Sequence, residues 1–143
     1  MEELKERYNN LLQAYSRLGH MINKFLEIED SIELRSCEIE DECIAFRDSV
    51  IKRFEFCYDL TWKFFKLYLQ NNYGIDVTSP KKVFQECIKQ NLVPADKADL
   101  LLETIEASNN SSHMYNEEVI HDIALRIPEY YDLFIKMTKK ISV

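Results

Sequence analysis

FRDSVIKRFEFCYDLTWKFFKLYL, residues 46–69, decides the fold. Phe46, Val50, Phe54, Cys57, Thr61, Phe65 and Tyr68 follow one another at steps of three and four, so they fall on one side of an α-helix. Ile51, Tyr58, Trp62 and Leu69 widen that stripe, and Phe56, Leu60, Phe64 and Leu67 add a second apolar flank. The predicted helix runs from near Asp41 to Asn72. So much apolar surface exceeds what one packing partner uses. Either the chain covers this helix on several sides, or part of it meets a second subunit, because large exposed apolar patches are rare on monomers. A bundle this small has few helices for the task, and the expectation taken here is a homodimer.

Upstream, Leu4, Tyr8, Leu11, Tyr15, Leu18, Ile22 and Phe25 alternate steps of four and three, the seam of a helix lying along a long partner. This first helix is expected over Glu2 to Leu26. Residues 29–42 carry many acids and no sustained period, and most of them read as a connection. Downstream, Gly74 is a C-cap candidate. Ser79-Pro80 reads as an N-cap followed by proline at the first helical position. A short helix from Pro80 to Gln90 packs through Val83, Phe84, Cys87 and Ile88. Pro94 and Ala95-Asp96 start another, with Ala98, Leu101, Leu102 and Ile105 inward. The polar stretch ASNNSSHMYNEE, residues 107–118, reads as a gap between helices. Asn116 caps the last helix, whose stripe is Ile120, Ile123, Ile127, Tyr131, Phe134, Thr138 and Ile141, and Pro128 is expected to kink or break it after Arg126. With only two glycines and three prolines, turn-rich sheet is disfavoured. The expectation is all-α: an up-down bundle of four or five helices forming one domain, as 143 residues allow.

The net charge of −7 and pI near 5.0 work against non-specific nucleic-acid or membrane binding. No segment approaches the roughly 18 apolar residues of a membrane span, and the charged start MEELKERYNN does not read as a secretory signal. Four cysteines, at 37, 43, 57 and 87, show no Cys-x-x-Cys and no paired histidine spacing, and Cys57 and Cys87 read as small core hydrophobes. A cytoplasmic protein with reduced thiols is expected.

Two places could hold chemistry. Lys52, Glu55, Asp59, Lys63, Lys66 and Gln70 share one side of the central helix, with Asp59–Lys63 an i,i+4 ion pair. The bland reading is a solvated charged face. The functional one has Lys63 and Lys66 on a phosphate while Trp62 stacks on a base. The second place is 107–118, where His113 can exchange a proton near neutral pH and Tyr115 stands two residues on. One histidine in a polar loop is more often an exposed or capping residue. His20 and His121 take structural readings. His113 has too few neighbours for a metal site, and without a glycine-rich phosphate loop ATP turnover by this chain alone is not expected.

These residues add up to a resemblance. IKRFEFCYDLTWK (51–63) looks like the Arg-Phe-Glu-Phe…Leu-x-Trp-Lys signature of the nucleotidyltransferase substrate-binding protein family, part of the HEPN superfamily of helical bundles. Ser79-Pro80 opening a short helix, Asn109-x-x-Ser-His-x-Tyr115 followed by acids, and RIPEY (126–130) complete the likeness, which covers nearly the whole chain. It implies a HEPN-like, dimeric bundle working as the non-catalytic, substrate- or nucleotide-binding partner of a separately encoded small nucleotidyltransferase. The partner would supply Mg²⁺, the nucleoside triphosphate and the transfer chemistry, this chain holding no cofactor. Asn109, His113 and Tyr115 would line the pocket, with Arg53, Glu55, Trp62 and Lys63 contributing, and Tyr115 would be a candidate acceptor of a transferred nucleotide. The alternative is the superfamily's toxin ribonuclease, in which His113 would be catalytic and RNA the substrate. Its Arg-x4-His-x-Tyr motif puts the arginine at Ser108, which cannot hold a phosphate as a guanidinium does. No Lys or Arg lies between Lys97 and Arg126 to replace it. Binding therefore ranks above cleavage.

Overall fold

The computed structural model describes residues 2–30, 37–112 and 116–141. Its helices are α1 (Glu2–Glu29), α2 (Cys37–Tyr73), α3 (Pro80–Lys89), α4 (Ala98–Ser111) and α5 (Glu117–Lys139), with a 3-10 turn at Ala95–Lys97. Among the described residues there is no strand. The all-α expectation stands.

The α1 seam faces inward as its spacing requires: Leu4, Leu11, Tyr15, Leu18, Ile22 and Phe25 are buried, and Tyr8 packs at the edge. Tyr8 meets Phe64 with ring centroids 5.8 Å apart, and Tyr15 bonds Thr61. Near the other end Cys43 Sγ donates to Glu29, so α1 and α2 run antiparallel. On the other side Tyr15 stacks on Phe134 and Phe25 meets His121, which sets α5 antiparallel to α1 as well. α2 and α5 are therefore parallel. Phe54, fully buried at the centre, packs against Tyr130 and Phe134 with centroids 5.6 and 6.4 Å away. α3 covers α2 through Phe84 on Tyr58.

The chain itself covers most of α2's apolar surface. Val50, Ile51, Phe54, Cys57, Tyr58, Phe64, Phe65, Tyr68 and Leu69 are all buried, while Phe56 stays 59% exposed and Ile44 41%. Cys57 and Cys87 are free and buried, and Cys43 is buried. Burial pushes the Cys57 and Cys87 thiols up to about 12, so they pack rather than react.

Helix ends follow local chemistry. Ser79 Oγ accepts from the Lys82 N–H at 3.3 Å, and Asn116 Oδ1 accepts from Glu118 and Val119 at 3.0 and 3.2 Å. Gly74 takes φ +65°, and its own N–H and that of Ile75 return to the Gln70 and Leu69 carbonyls.

Three boundaries differ from expectation. α2 begins at Cys37, so part of the acidic connection is helical. α4 runs on to Ser111, so Ala107–Ser111 are helix rather than gap. Thr104, Ala107 and Ser111, at steps of three and four, are all buried. The small side chains do what apolar ones do elsewhere, and hydroxyls that bond locally can be buried without penalty. α5 runs unbroken through Pro128. The proline forfeits the bond that its N–H would give the Ala124 carbonyl, but buried Ile127, Tyr130, Leu133 and Phe134 hold the helix on both sides of it.

Candidate functional site

The structure distributes the candidate residues over three places. Glu55, half-buried on α2, accepts a 2.8 Å hydrogen bond at Oε1 from Ser111 Oγ. The same hydroxyl lies 2.9 Å from the Ser108 carbonyl. Ser111 thus pins the last turn of α4 to α2, with Asn109 exposed beside it and the Asn109 carbonyl taking the Ser112 hydroxyl at 2.8 Å. His113 and Tyr115 lie outside the described residues. Arg53 points elsewhere, bordering a hollow of about 290 Å³ with Asn10, Gln13, Arg17, Phe56 and Leu60. Trp62 and Lys63 line a third place of about 400 Å³ with Arg7, Lys66, Leu67 and Gln70. Helix geometry explains the division. Arg53 and Glu55 project roughly 200° apart, and Trp62 lies about 10 Å along the axis from Glu55.

In the Trp62 pocket, Lys63 makes the expected ion pair with Asp59, Nζ to Oδ2 2.8 Å, and its ammonium sits 5.9 Å from the indole centroid. Arg7 pairs with Glu3 at 3.2 Å. Arg7 comes from α1, and only the antiparallel register set by Tyr8 on Phe64 brings it here.

Sequence reasoning missed Arg47. It is only 4% exposed, with Nη1 2.6 Å from Glu117 and with Nε and Nη2 donating to Asp48 Oδ1 at 3.1 and 2.9 Å. Burial opposes its charge, but the bonds to Glu117 and Asp48 outweigh that and raise its pKa further. Arg47 ties the first turn of α5 to α2. Its signal was present: Arg47, Val50, Ile51 and Phe54 are spaced as one inward face, so the arginine stands where an apolar residue is expected. Around it opens a cleft of about 410 Å³ between α2 and α5, lined also by Glu40, Glu117, Glu118, His121 and Asp122. His121 Nε2 meets Glu29 Oε1 at 2.9 Å, a bond from α5 to the end of α1. Four carboxylates make this cleft a poor host for phosphate.

The RIPEY block braces α5 against α4. Arg126 clamps Glu103 through Nε and Nη2 at 3.0 and 2.8 Å and also pairs with Glu129, while the Tyr130 hydroxyl donates to Glu103. The Tyr130 hydrogen bond, with Arg126 behind it, holds the Glu103 carboxyl below its ordinary range against a partial burial that would raise it. Ser108, at the ribonuclease motif's arginine position, gains no substitute from Arg47 or Arg126, each tied to two carboxylates. Among the described residues no group of three or more His, Cys, Asp or Glu could hold a metal ion, and no helix is long and apolar enough to cross a membrane.

Comparison with known proteins bears on the chemistry. The family described as "Nucleotidyltransferase substrate binding protein like" matches residues 6–143. No curated protein matches the sequence. A crystal structure from Thermus thermophilus shares 25% identity at a TM-score of 0.74, over 91% of this chain and 97% of that one. A Haemophilus influenzae protein, described as revealing the fold of a substrate binding domain of a nucleotidyltransferase, shares 19% identity and the fold. Its TM-score is 0.76, over 93% of this chain and 97% of its own. The substrate-binding reading gains from these matches; the ribonuclease reading gets no support from them.

Proposed function

Because the chain belongs to the nucleotidyltransferase substrate-binding-like family, whose match spans residues 6–143, we propose that it is the non-catalytic subunit that holds a nucleotide or small substrate for a separately encoded small nucleotidyltransferase. That span is the observation that carries the reading. The Haemophilus protein, a substrate binding domain with the same fold, agrees with it. The partner supplies Mg²⁺, the nucleoside triphosphate and the transfer step in the cytoplasm. The helix-2 candidates Arg53, Trp62 and Lys63 border hollows between α1 and α2. Glu55 secures the end of α4 that carries Asn109, and His113 and Tyr115 follow in the sequence. In this reading those three residues contact the substrate, and Tyr115 is the acceptor if a nucleotide is transferred to the chain itself. A homodimer is part of the reading. Ile44 borders the α2–α5 cleft, Leu125 falls at helical spacing from Glu118, His121 and Asp122 on its wall, and the two are 41% and 44% exposed.

The test is a transfer assay with the partner alone, this chain alone and both together. Transfer is expected only from the pair, with this chain binding the acceptor in equilibrium dialysis. A chain that neither binds a nucleotide or acceptor nor joins a nucleotidyltransferase would refute the proposal. Mass spectrometry of Tyr115 after incubation of both proteins shows whether the tyrosine is the acceptor.

A further inference from the structure

We propose that the pocket between α1 and α2 at Arg7, Trp62, Lys63 and Lys66 is a nucleotide site, binding the phosphates on the three cations and the base on the indole. This deepens the substrate-binding reading by giving the nucleotide a location, apart from both the Glu55–Ser111 contact at the end of α4 and the α2–α5 cleft.

Charge is the first argument. The chain is acidic overall, at −7, and the α2–α5 cleft is lined by four carboxylates. The α1–α2 pocket reverses this balance, with Arg7, Lys63 and Lys66 against Glu3 alone on its lining. An anion entering an acidic protein goes where the local potential is positive.

Availability of those cations is the second. Arg7 and Lys63 are 44% and 46% exposed, and the carboxylate that pairs with each, Glu3 and Asp59, lies on its own helix. Exposed i,i+4 pairs are weak, so a multiply charged phosphate chain displaces them readily. Lys66 makes no ion pair among the described residues. Arg7 supplies the planar fork suited to phosphate oxygens, and the two lysines supply point charges.

Shape is the third. A volume of about 400 Å³ lies within the usual range for small-ligand pockets. Trp62 is half-buried, so the ring is held by the fold, and the Lys63 ammonium already lies over it at 5.9 Å. Base stacking on such a ring with a cation alongside is a recurrent mode of nucleotide recognition. Gln70 adds an amide on the same wall. The basic face of α2 and its tryptophan thus acquire from α1 the third cation that makes a pocket of them.

Trp62 is the only tryptophan in the sequence, so its fluorescence reports on this pocket alone. ATP without added metal is expected to change that emission saturably, whereas adenosine and tripolyphosphate each bind more weakly. Arg7→Ala, at an exposed residue, and Lys66→Ala, at a half-buried one, should each weaken ATP binding by about tenfold, roughly the value of one charge-assisted contact, with helical circular dichroism unchanged. Lys81→Ala, on α3 and outside the pocket, should leave it unchanged. Trp62→Leu, followed by equilibrium dialysis, should lower ATP affinity toward that of tripolyphosphate. If ATP binds with Trp62 emission unmoved and with affinity indifferent to Arg7→Ala and Lys66→Ala, the site lies elsewhere and the pocket is overturned while the substrate-binding reading stands. Absence of ATP binding at millimolar concentration also overturns the pocket; the wider reading is then decided separately, by transfer in the presence of the partner.

Discussion

A buried chain of hydroxyls joins α1 to α2, whose register the pocket depends on, and a double-mutant cycle can interrogate it. Tyr15 OH lies 2.7 Å from Thr61 Oγ1, which lies 2.7 Å from the Cys57 carbonyl. Thr61 has one hydroxyl proton and gives it to that carbonyl, so Tyr15 is the donor to Thr61. Tyr15 is 1% exposed and Thr61 0%. Tyr15→Phe removes a donor and leaves Thr61 still bonded to Cys57, a loss of about 1 kcal/mol. Thr61→Val keeps the shape but strands the Tyr15 hydroxyl with no acceptor, and an orphaned buried donor costs about 2 kcal/mol. The double variant strands nothing and should lose no more than about 1 kcal/mol, so the two single effects should exceed the double by about 2 kcal/mol. Urea unfolding of all four proteins, followed by circular dichroism and Trp62 fluorescence, measures this, provided the slopes agree. Simple additivity would refute the reasoning, since it would mean that the tyrosine hydroxyl is not held by Thr61. The same burial raises the Tyr15 pKa well above its ordinary value. Stability from this group is therefore complete below pH ~10 and declines above it as the unfolded chain ionises first.

Ser111→Ala should cost about 1.5 kcal/mol by removing the donor to the Glu55 carboxylate, and unchanged unfolding would show that the hydroxyl serves only the Ser108 carbonyl. Pro128→Ala should stabilise α5 by up to about 3 kcal/mol in urea unfolding, because it restores an N–H donor to the Ala124 carbonyl; a loss of stability would mean that the ring's packing matters more. Glu103 carries a pKa lowered by Tyr130 and then Arg126, so its stabilising contribution is present above the ordinary glutamate value near ~4.3 and is lost as pH falls through the lowered one. The stability gap between wild type and Glu103→Gln should accordingly close with acidification, and a gap independent of pH would contradict that assignment.

The long helices were legible because burial leaves a period. The steps of three and four at Leu4–Phe25 and Phe46–Tyr68 are direct imprints of one covered face, and Ser79 and Asn116 announce their helix starts through side-chain chemistry alone. The last turn of α4 was illegible for the opposite reason. Ala107 and Ser111 are buried by smallness and hydrogen bonding, which hydropathy does not register. Pro128 misled because a local rule was overridden by packing on either side of the ring. The candidate site was half-legible. Trp62, Lys63 and Lys66 stand together in the sequence and in the fold, but Arg7 joins them only through the register of two antiparallel helices. Arg47 was passed over because a charged residue on an apolar stripe reads as an interruption rather than as a buried clamp.

The central claim, that this chain is the substrate-holding half of a nucleotidyltransferase, is tested most directly by native mass spectrometry of the tagged protein purified from its own cells. A stable assembly is expected, in which a small nucleotidyltransferase accompanies this chain in fixed stoichiometry. A protein recovered only as copies of itself, at concentrations where the partner is present, would contradict it.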